Sequence, residues 1–552
     1  AGLALGAVLA VAAWYRFHDL AGLPFEMTSD HTEKLLDIAT IVGGLRPVFM
    51  PANSGREAMQ FYWIAALVML GLPLSFMTLK LGMSIVGTAT VAPIYRLGRR
   101  IGGTHVGLMA ALILALLPWH IQITRIALRI ALAPLWVALT WIALYRAIAY
   151  GRRNDWLWVG LATGLGMYSY SAFRPMLFAV PLVVVLKLFH DAWYGHRDGL
   201  SRGLAAHAAA AAGLTALLVV PLVRYGIDRP GEIGERTATR IFGDAFVEQP
   251  GAVWDFLRAQ DAPYFADLFG QLVVNVRNAL LMFNVTSDNA WFQSPPGRPA
   301  FETVGGALVV LGLAVALHRI RRRDWQVGTL VVTVPILLLS TILALAFPNE
   351  NPSLTRASAA LPAVVVIAAL PLPALFDRMR AAWGPRGAGA AYAALAIVLA
   401  AWMARGIDAR YFGEYRHYYD ESTHPTSEGA AVIRSFVNLG GDLDHVYYAA
   451  WSNGWDHRLL GIQVGRPTWT GILWPVDGDW DNAIQQARDH VADPSRKLYL
   501  VGGPLAAQHI AFLRSLYPGA LVTVHHTRVP GKDFWSILVP ERALLPTEQA
   551  PE

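Results

Sequence analysis

Cysteine is absent from the 552 residues. Disulfides, thiolate nucleophiles and Cys-based metal sites are therefore excluded, and redox chemistry gives no clue to the compartment. Charge is scarce, with Asp, Glu, Lys and Arg at 15%, where a soluble chain carries about 25%. No G-x-G-x-x-G run is present, so a dinucleotide fold has no fingerprint here. Internal repeats and low-complexity linkers are missing too. The net charge of +6 does not point to nucleic acid. The basic residues lie in short loops between apolar blocks, where membrane topology accounts for them.

What the chain has instead is apolar surface, with 55% hydrophobic residues. These gather in blocks of roughly 17–22 residues, the length that crosses a ~30 Å hydrocarbon core. The blocks are Ala1–Trp14, Phe76–Tyr95, His105–Trp119, Ala131–Ala149, Trp156–Ser171, Met176–Phe189, Leu204–Val223, Thr303–Leu317, Gln326–Phe347, Ala357–Leu375 and Ala388–Ala404. About eleven spans are expected. Ala58–Leu72 is short and ends at Gly71-Leu72-Pro73, and reads as an interfacial or re-entrant helix. Ala1 falls inside an apolar stretch without a basic flank. Either a signal has been removed or a few residues of the first span's cytoplasmic end precede it.

Five basic clusters orient the spans: Arg96/Arg99/Arg100, Arg146/Arg152/Arg153, Lys187/Arg197/Arg202, Arg319/Arg321/Arg322/Arg323 and Arg378/Arg380/Arg386. Placing all five in the cytoplasm makes every span from Phe76 onward alternate correctly. The polar segments 15–57, 224–299 and 405–552 then fall outside a plasma membrane. The expected architecture is an all-α polytopic membrane bundle over residues 1–404, with outer loops 15–75 and 224–299, followed by a soluble extracytoplasmic α/β domain over 405–552. In that domain Val446–Ala450, Leu498–Val501, Leu521–His525 and Phe534–Val539 read as strands, and Ala506–Leu516 has helical spacing. Gly502-Gly503-Pro504 reads as a turn in preference to a phosphate cradle.

Ionisable groups beside membrane spans are costly and so are functional candidates. Asp30, Glu33, Lys34 and Asp37 follow i, i+3, i+4 and i+7 spacing and share one face if the segment is helical. Ser29 or Asp30 could equally be a helix cap. Arg56-Glu57 opens the interfacial helix as a charge pair. Arg125, Arg129, Arg174 and Arg356 lie at outer span ends, against the positive-inside trend. Arginine suits bidentate phosphate contacts. Each alone could snorkel to a headgroup, but the four together with nearby carboxylates suggest an anion site.

This pattern resembles the GT-C superfamily of membrane glycosyltransferases, closest to the protein O-mannosyltransferase and aminoarabinose-transferase group. The resemblance rests on Asp30 in the first outer loop, Arg56-Glu57 before an interfacial helix, the run Ser84–Arg100 into Val106–Pro118, and Thr124-Arg125 with Arg129. It also rests on Met282-Phe283-Asn284 through Asp288 to Pro295-Pro296-Gly297-Arg298-Pro299, and on Arg356 before Leu361-Pro362. It covers about the first 400 residues. The resemblance implies a GT-C-like bundle that transfers a sugar from a polyprenyl phosphate to a protein, lipid or glycan acceptor at the outer leaflet. Asp30 takes the family's first-loop acid. The sequence departs from the family at His31, where many members have Glu, and at Arg129, where some have an acid. Those departures disfavour a divalent metal, and no cofactor is assigned.

The chemistry is coherent on its own terms. A hydroxyl nucleophile needs a carboxylate base, and a departing phosphate needs fixed cations. Asp30 is expected as base, with Glu33 or Glu57 orienting. Arg56, Arg125, Arg129, Arg174 and Arg356 are candidate phosphate ligands, and Asp288 is placed on the acceptor side. The hexosyl- or pentosyltransferase reading has two competitors. One is a catalytically silent scaffold of a membrane complex, docking through the C-terminal domain. The other is a lipid or solute transporter, which would show inverted repeats and midplane polar groups that this sequence lacks.

Overall fold

The computed structural model describes residues 2–52, 55–195, 202–243, 253–290, 294–451, 454–475 and 479–541. The chain divides into two compact units. The first comprises Ala1–Leu23, Thr40–Pro73 and Met77–Tyr418, and the second Pro24–Ala39, Leu74–Phe76 and Tyr419–Glu552.

The first unit is helical. Among the described residues seven helical stretches are long and apolar enough to cross a membrane: Phe76–Ala115, Arg129–Tyr150, Ser171–Tyr194, Gly203–Asp228, Thr303–Arg321, Trp325–Ile342 and Arg356–Ser422. The protein is a multi-pass membrane protein. These seven stretches do not confirm the expected count of about eleven separate spans, for two physical reasons. Two of the stretches fold back on themselves. In Phe76–Ala115 the backbone leaves helical geometry at Gly102 and at Gly103, where φ is +83°. A side chain rarely adopts that conformation, and glycine does so without penalty. The two arms then meet so closely that a Cβ on Gly98 would lie 3.0 Å from the Cα of Gly107. Gly384, at φ +67°, plays the same part in Pro371–Ile407, where Phe376 and Tyr392 from the two arms meet edge to face at 5.1 Å. Second, Gly2–Phe17 and Arg153–Gly166 have only 16 and 14 residues. The Met59–Met69 helix, 11 residues long, rises about 16 Å and is too short to span.

The loop expected at 224–299 is largely helical where described, with Pro230–Phe242, Val253–Arg258 and Ala262–Leu281. A two-stranded ribbon, β1 (Phe49–Met50) and β2 (Arg56–Glu57), pairs Phe49 with Glu57 and Met50 with Arg56.

The second unit is a five-stranded sheet with helices, the α/β domain expected from sequence. Its strands are β3 (Val446–Ala449), β4 (Ile472–Leu473), β5 (Lys497–Gly502), β6 (Leu521–His525) and β7 (Phe534–Val539), in the order β4-β3-β5-β7-β6. β3 runs parallel to β4 and β5, while β7 is antiparallel to β5 and β6. β5 is buried along its whole length, which is why it reads in sequence as a continuous apolar run. The turn at Gly502-Gly503 is filled: a Cβ on Gly503 (φ +77°) would lie 2.5 Å from the Trp451 indole. It is a packed turn, not an open phosphate cradle.

Candidate functional site

In the first unit, two distant chain segments converge on Glu57. Arg129 Nε donates to Glu57 Oε2 at 2.9 Å, and Arg174 donates to Oε1 at 3.0 Å. The Glu57 side chain is 2% exposed, Arg129 6% and Arg174 28%. The backbone knits the same segments together. Met59 N–H donates to the Tyr168 carbonyl at 3.0 Å, and Gln60 Nε2 donates to the Ala127 carbonyl at 2.7 Å. Ala127 is held at φ +63°, a strained conformation for a residue with a Cβ. That bend turns the chain from the Pro118–Arg125 helix toward Arg129.

Burial alone would raise the Glu57 carboxyl pKa. The positive charges of Arg129 and Arg174 outweigh it and hold the carboxyl below the usual glutamate range. Glu57 is therefore an anion at neutral pH. Arg129 uses only Nε on Glu57 and lies 5.3 Å over the Tyr170 ring. Among the described residues its two terminal nitrogens donate to no other protein group, and Arg174 likewise engages through one nitrogen only. Both guanidinium groups retain N–H donors.

Arg125 is different. Its Nε donates to the Tyr411 hydroxyl at 3.0 Å, and its other four N–H groups to the carbonyls of Tyr15, His18, Asp19 and Leu23 at 2.8–3.1 Å. All five donors are engaged, so Arg125 fastens the end of the first helix and has none left for a phosphate. Arg16 makes a similar internal clamp, bonding the carbonyls of Ala12, Leu114 and Ala115 and the ring of His120. Arg356 binds Glu350, which Arg240 also grips at 3.1 Å. Arg56 is buried, with its guanidinium 5.8 Å over the Phe61 ring.

Asp288 is buried, and its two oxygens accept separately from the backbone N–H groups of Ala290 (2.8 Å) and Leu354 (2.9 Å). It pins the 282–300 segment to the turn before Arg356. Burial pushes its carboxyl up to about 6, against the opposing pull of those hydrogen bonds and of Arg356.

Asp30 and Glu33 belong to the second unit. Asp30 lies in the first turn of the Ser29–Val42 helix, 39% exposed, with Lys34 Nζ 3.5 Å from its carboxylate. Glu33 is bound by Arg458, which also holds Asp456 at 2.7 Å. Burial would raise the Asp456 pKa, but the Arg458 hydrogen bonds and charge bring it below the usual range. His31 is buried, with its Nδ1 3.0 Å from the Thr28 backbone nitrogen. Glu26 caps the Thr426–Asn438 helix by accepting from Ser427 N–H at 3.1 Å. Among the described residues no three His, Asp or Glu side chains are grouped to hold a metal ion.

The structure thus brings together Glu57, Arg129 and Arg174. It gives Arg125, Arg356 and Asp288 structural partners of their own. Sequence reasoning missed Gln60, Tyr411, Glu350, Arg240 and Arg458. Gln60 left one signal, a lone amide in an apolar helix.

Residues 56–223 match the family described as dolichyl-phosphate-mannose-protein mannosyltransferase. No curated protein matches the chain in sequence. Among solved structures, the oligosaccharyltransferase AglB from Archaeoglobus fulgidus, in complex with an inhibitory peptide and a dolichol-phosphate, is 16% identical with a TM-score of 0.48. That match covers 78% of this chain and 58% of the archaeal one, so this chain spans little more than half of that relative's length. ArnT from Cupriavidus metallidurans, bound to undecaprenyl phosphate, is 12% identical with a TM-score of 0.49, covering 100% of this chain and 99% of that one. Similarity this low transfers no residue role. The stretch that matches that family, residues 56–223, contains Glu57, Arg129 and Arg174.

Proposed function

We propose that the protein transfers a sugar from a polyprenyl-phosphate donor to a hydroxyl of a protein, lipid or glycan acceptor on the extracytoplasmic face of the plasma membrane. The observation that carries this reading is the position of the Glu57–Arg129–Arg174 cluster inside the family-matching stretch. Two buried or half-buried arginines that keep N–H donors, braced by a carboxylate, are suited to a phosphate whose charge grows as it leaves. Arg129 and Arg174 take the phosphate, and Glu57 orients them.

Asp30 is the proposed base. It takes the acceptor's proton as the acceptor oxygen bonds to the anomeric carbon. The bond from that carbon to the phosphate oxygen breaks, and its electron pair leaves with polyprenyl phosphate. A single displacement inverts the anomeric centre. No metal enters the proposal, since fixed arginines meet the developing charge. The test is sugar transfer by the full chain in lipid nanodiscs from polyprenyl-phosphate mannose, glucose and pentose donors. Transfer from one donor supports the reading. Inertness toward all of them, in protein that stays folded, counts against it.

A further inference from the structure

A second charged cavity lies in the first unit, lined by Arg298, Glu302, Trp402, Arg405, Arg410 and Glu414 among others, with a volume near 350 Å³. It is formed where two apolar helices end. Glu302 is the N-cap of Thr303–Arg321, and Trp402 and Arg405 belong to the last turns of Pro371–Ile407. A cavity at the ends of two spans lies at the level of the membrane surface. Trp402, 54% exposed, has the amphipathic ring favoured at that level.

Arg410 is the informative residue. It is 6% exposed, on a π-helical segment, Asp408–Tyr415; such segments often mark functional positions. Its Nε is fully buried, and among the described residues its guanidinium has no hydrogen bond or ion pair with the protein. A buried, unpaired guanidinium is costly unless an anion meets it. Glu302 and Glu414 attract Arg410 at longer range, but among the described residues neither forms an ion pair with it, and Glu414 is paired with Arg298 at 3.1 Å. The lining carries three arginines against two glutamates, leaving one positive charge.

We propose that this cavity binds the phosphodiester of a membrane lipid headgroup, with the phosphate on Arg410 and Arg405 and the glycerol end beside Trp402. A phosphodiester carries a single negative charge and neutralises the lining, whereas free phosphate near neutral pH carries more. The site is separate from the Glu57 cluster, and its existence does not depend on the transferase reading.

The test is native mass spectrometry of the full chain released from nanodiscs containing phosphatidylglycerol, phosphatidylethanolamine or diacylglycerol. One retained phospholipid is expected. Arg405→Gln, an exposed change that folding tolerates, and Arg410→Gln should each weaken retention by at least about tenfold, the worth of one hydrogen bond to a charged group. Arg174→Gln should leave it unchanged. Equal retention of diacylglycerol, or retention unaffected by Arg405→Gln, overturns the proposal. Displacement of the lipid by micromolar inorganic phosphate would assign the site to free phosphate and overturn the lipid source.

Discussion

Arg129 and Glu57, 72 residues apart in the chain, form a buried ion pair at 2.9 Å. Removing one partner of such a pair leaves an uncompensated buried charge and costs about 3–5 kcal/mol. Glu57→Gln should therefore lower the thermal midpoint of the purified protein markedly. The same variant also tests the pH dependence. Glu57 has a depressed pKa in the folded state, so its stabilisation is present above the unfolded value and is lost as pH falls through the folded value. The stability difference between wild type and Glu57→Gln should be flat near neutrality and shrink below about pH 4. A difference that persists undiminished at low pH would contradict the pairing.

Arg125 and Arg174 should fail in different ways. Arg125→Lys cannot reproduce five hydrogen bonds, and with about 1.5–3 kcal/mol per bond to a charged group it should reduce the yield of folded protein. Arg174→Gln should fold and lose transfer, with kcat/KM down on the order of a hundredfold. Size-exclusion profiles and donor-dependent rates for both variants separate the two roles. A folded, inactive Arg125→Lys would put Arg125 back among the phosphate ligands.

Asp288 gives a second pH signature, of opposite sign. Its folded pKa is raised, to about 6 from an ordinary 3.8. The stability linked to its proton is fully present below the unfolded value and is lost as pH rises through about 6. Wild type should therefore lose stability relative to Asp288→Asn between about pH 4 and pH 7. Thermal unfolding of both proteins in one detergent checks this. A constant difference over that range would contradict a buried, partly protonated carboxyl.

Legibility in the sequence followed the range of the interaction. Phe534–Val539 and Ala506–Leu516 were readable because period-two and helical spacing are local. β4 is two residues long and leaves no period to read. Glu57 was noticed beside Arg56, yet its partners lie 72 and 117 residues away. Adjacent residues on a strand point to opposite faces, so a sequence pair such as Arg56-Glu57 is not a spatial one. Glu33 was seen, but Arg458, its partner 425 residues on, was not. The arginines read together as one anion site differ in ways only packing reveals. Five backbone and hydroxyl oxygens converge on Arg125, while Arg129 and Arg174 keep donors. The turns at Gly103 and Gly384, where a helix folds back on itself, fall in the basic stretches between apolar blocks where the sequence places breaks.

The most direct measurement is sugar transfer by Asp30→Asn against wild type in nanodiscs, using the donor that wild type accepts. Asp30 is 39% exposed, so the change should leave the unfolding free energy within about 1 kcal/mol of wild type. The account predicts folded protein whose transfer rate falls at least about a hundredfold, the contribution of a general base. Full activity in a folded Asp30→Asn would contradict it.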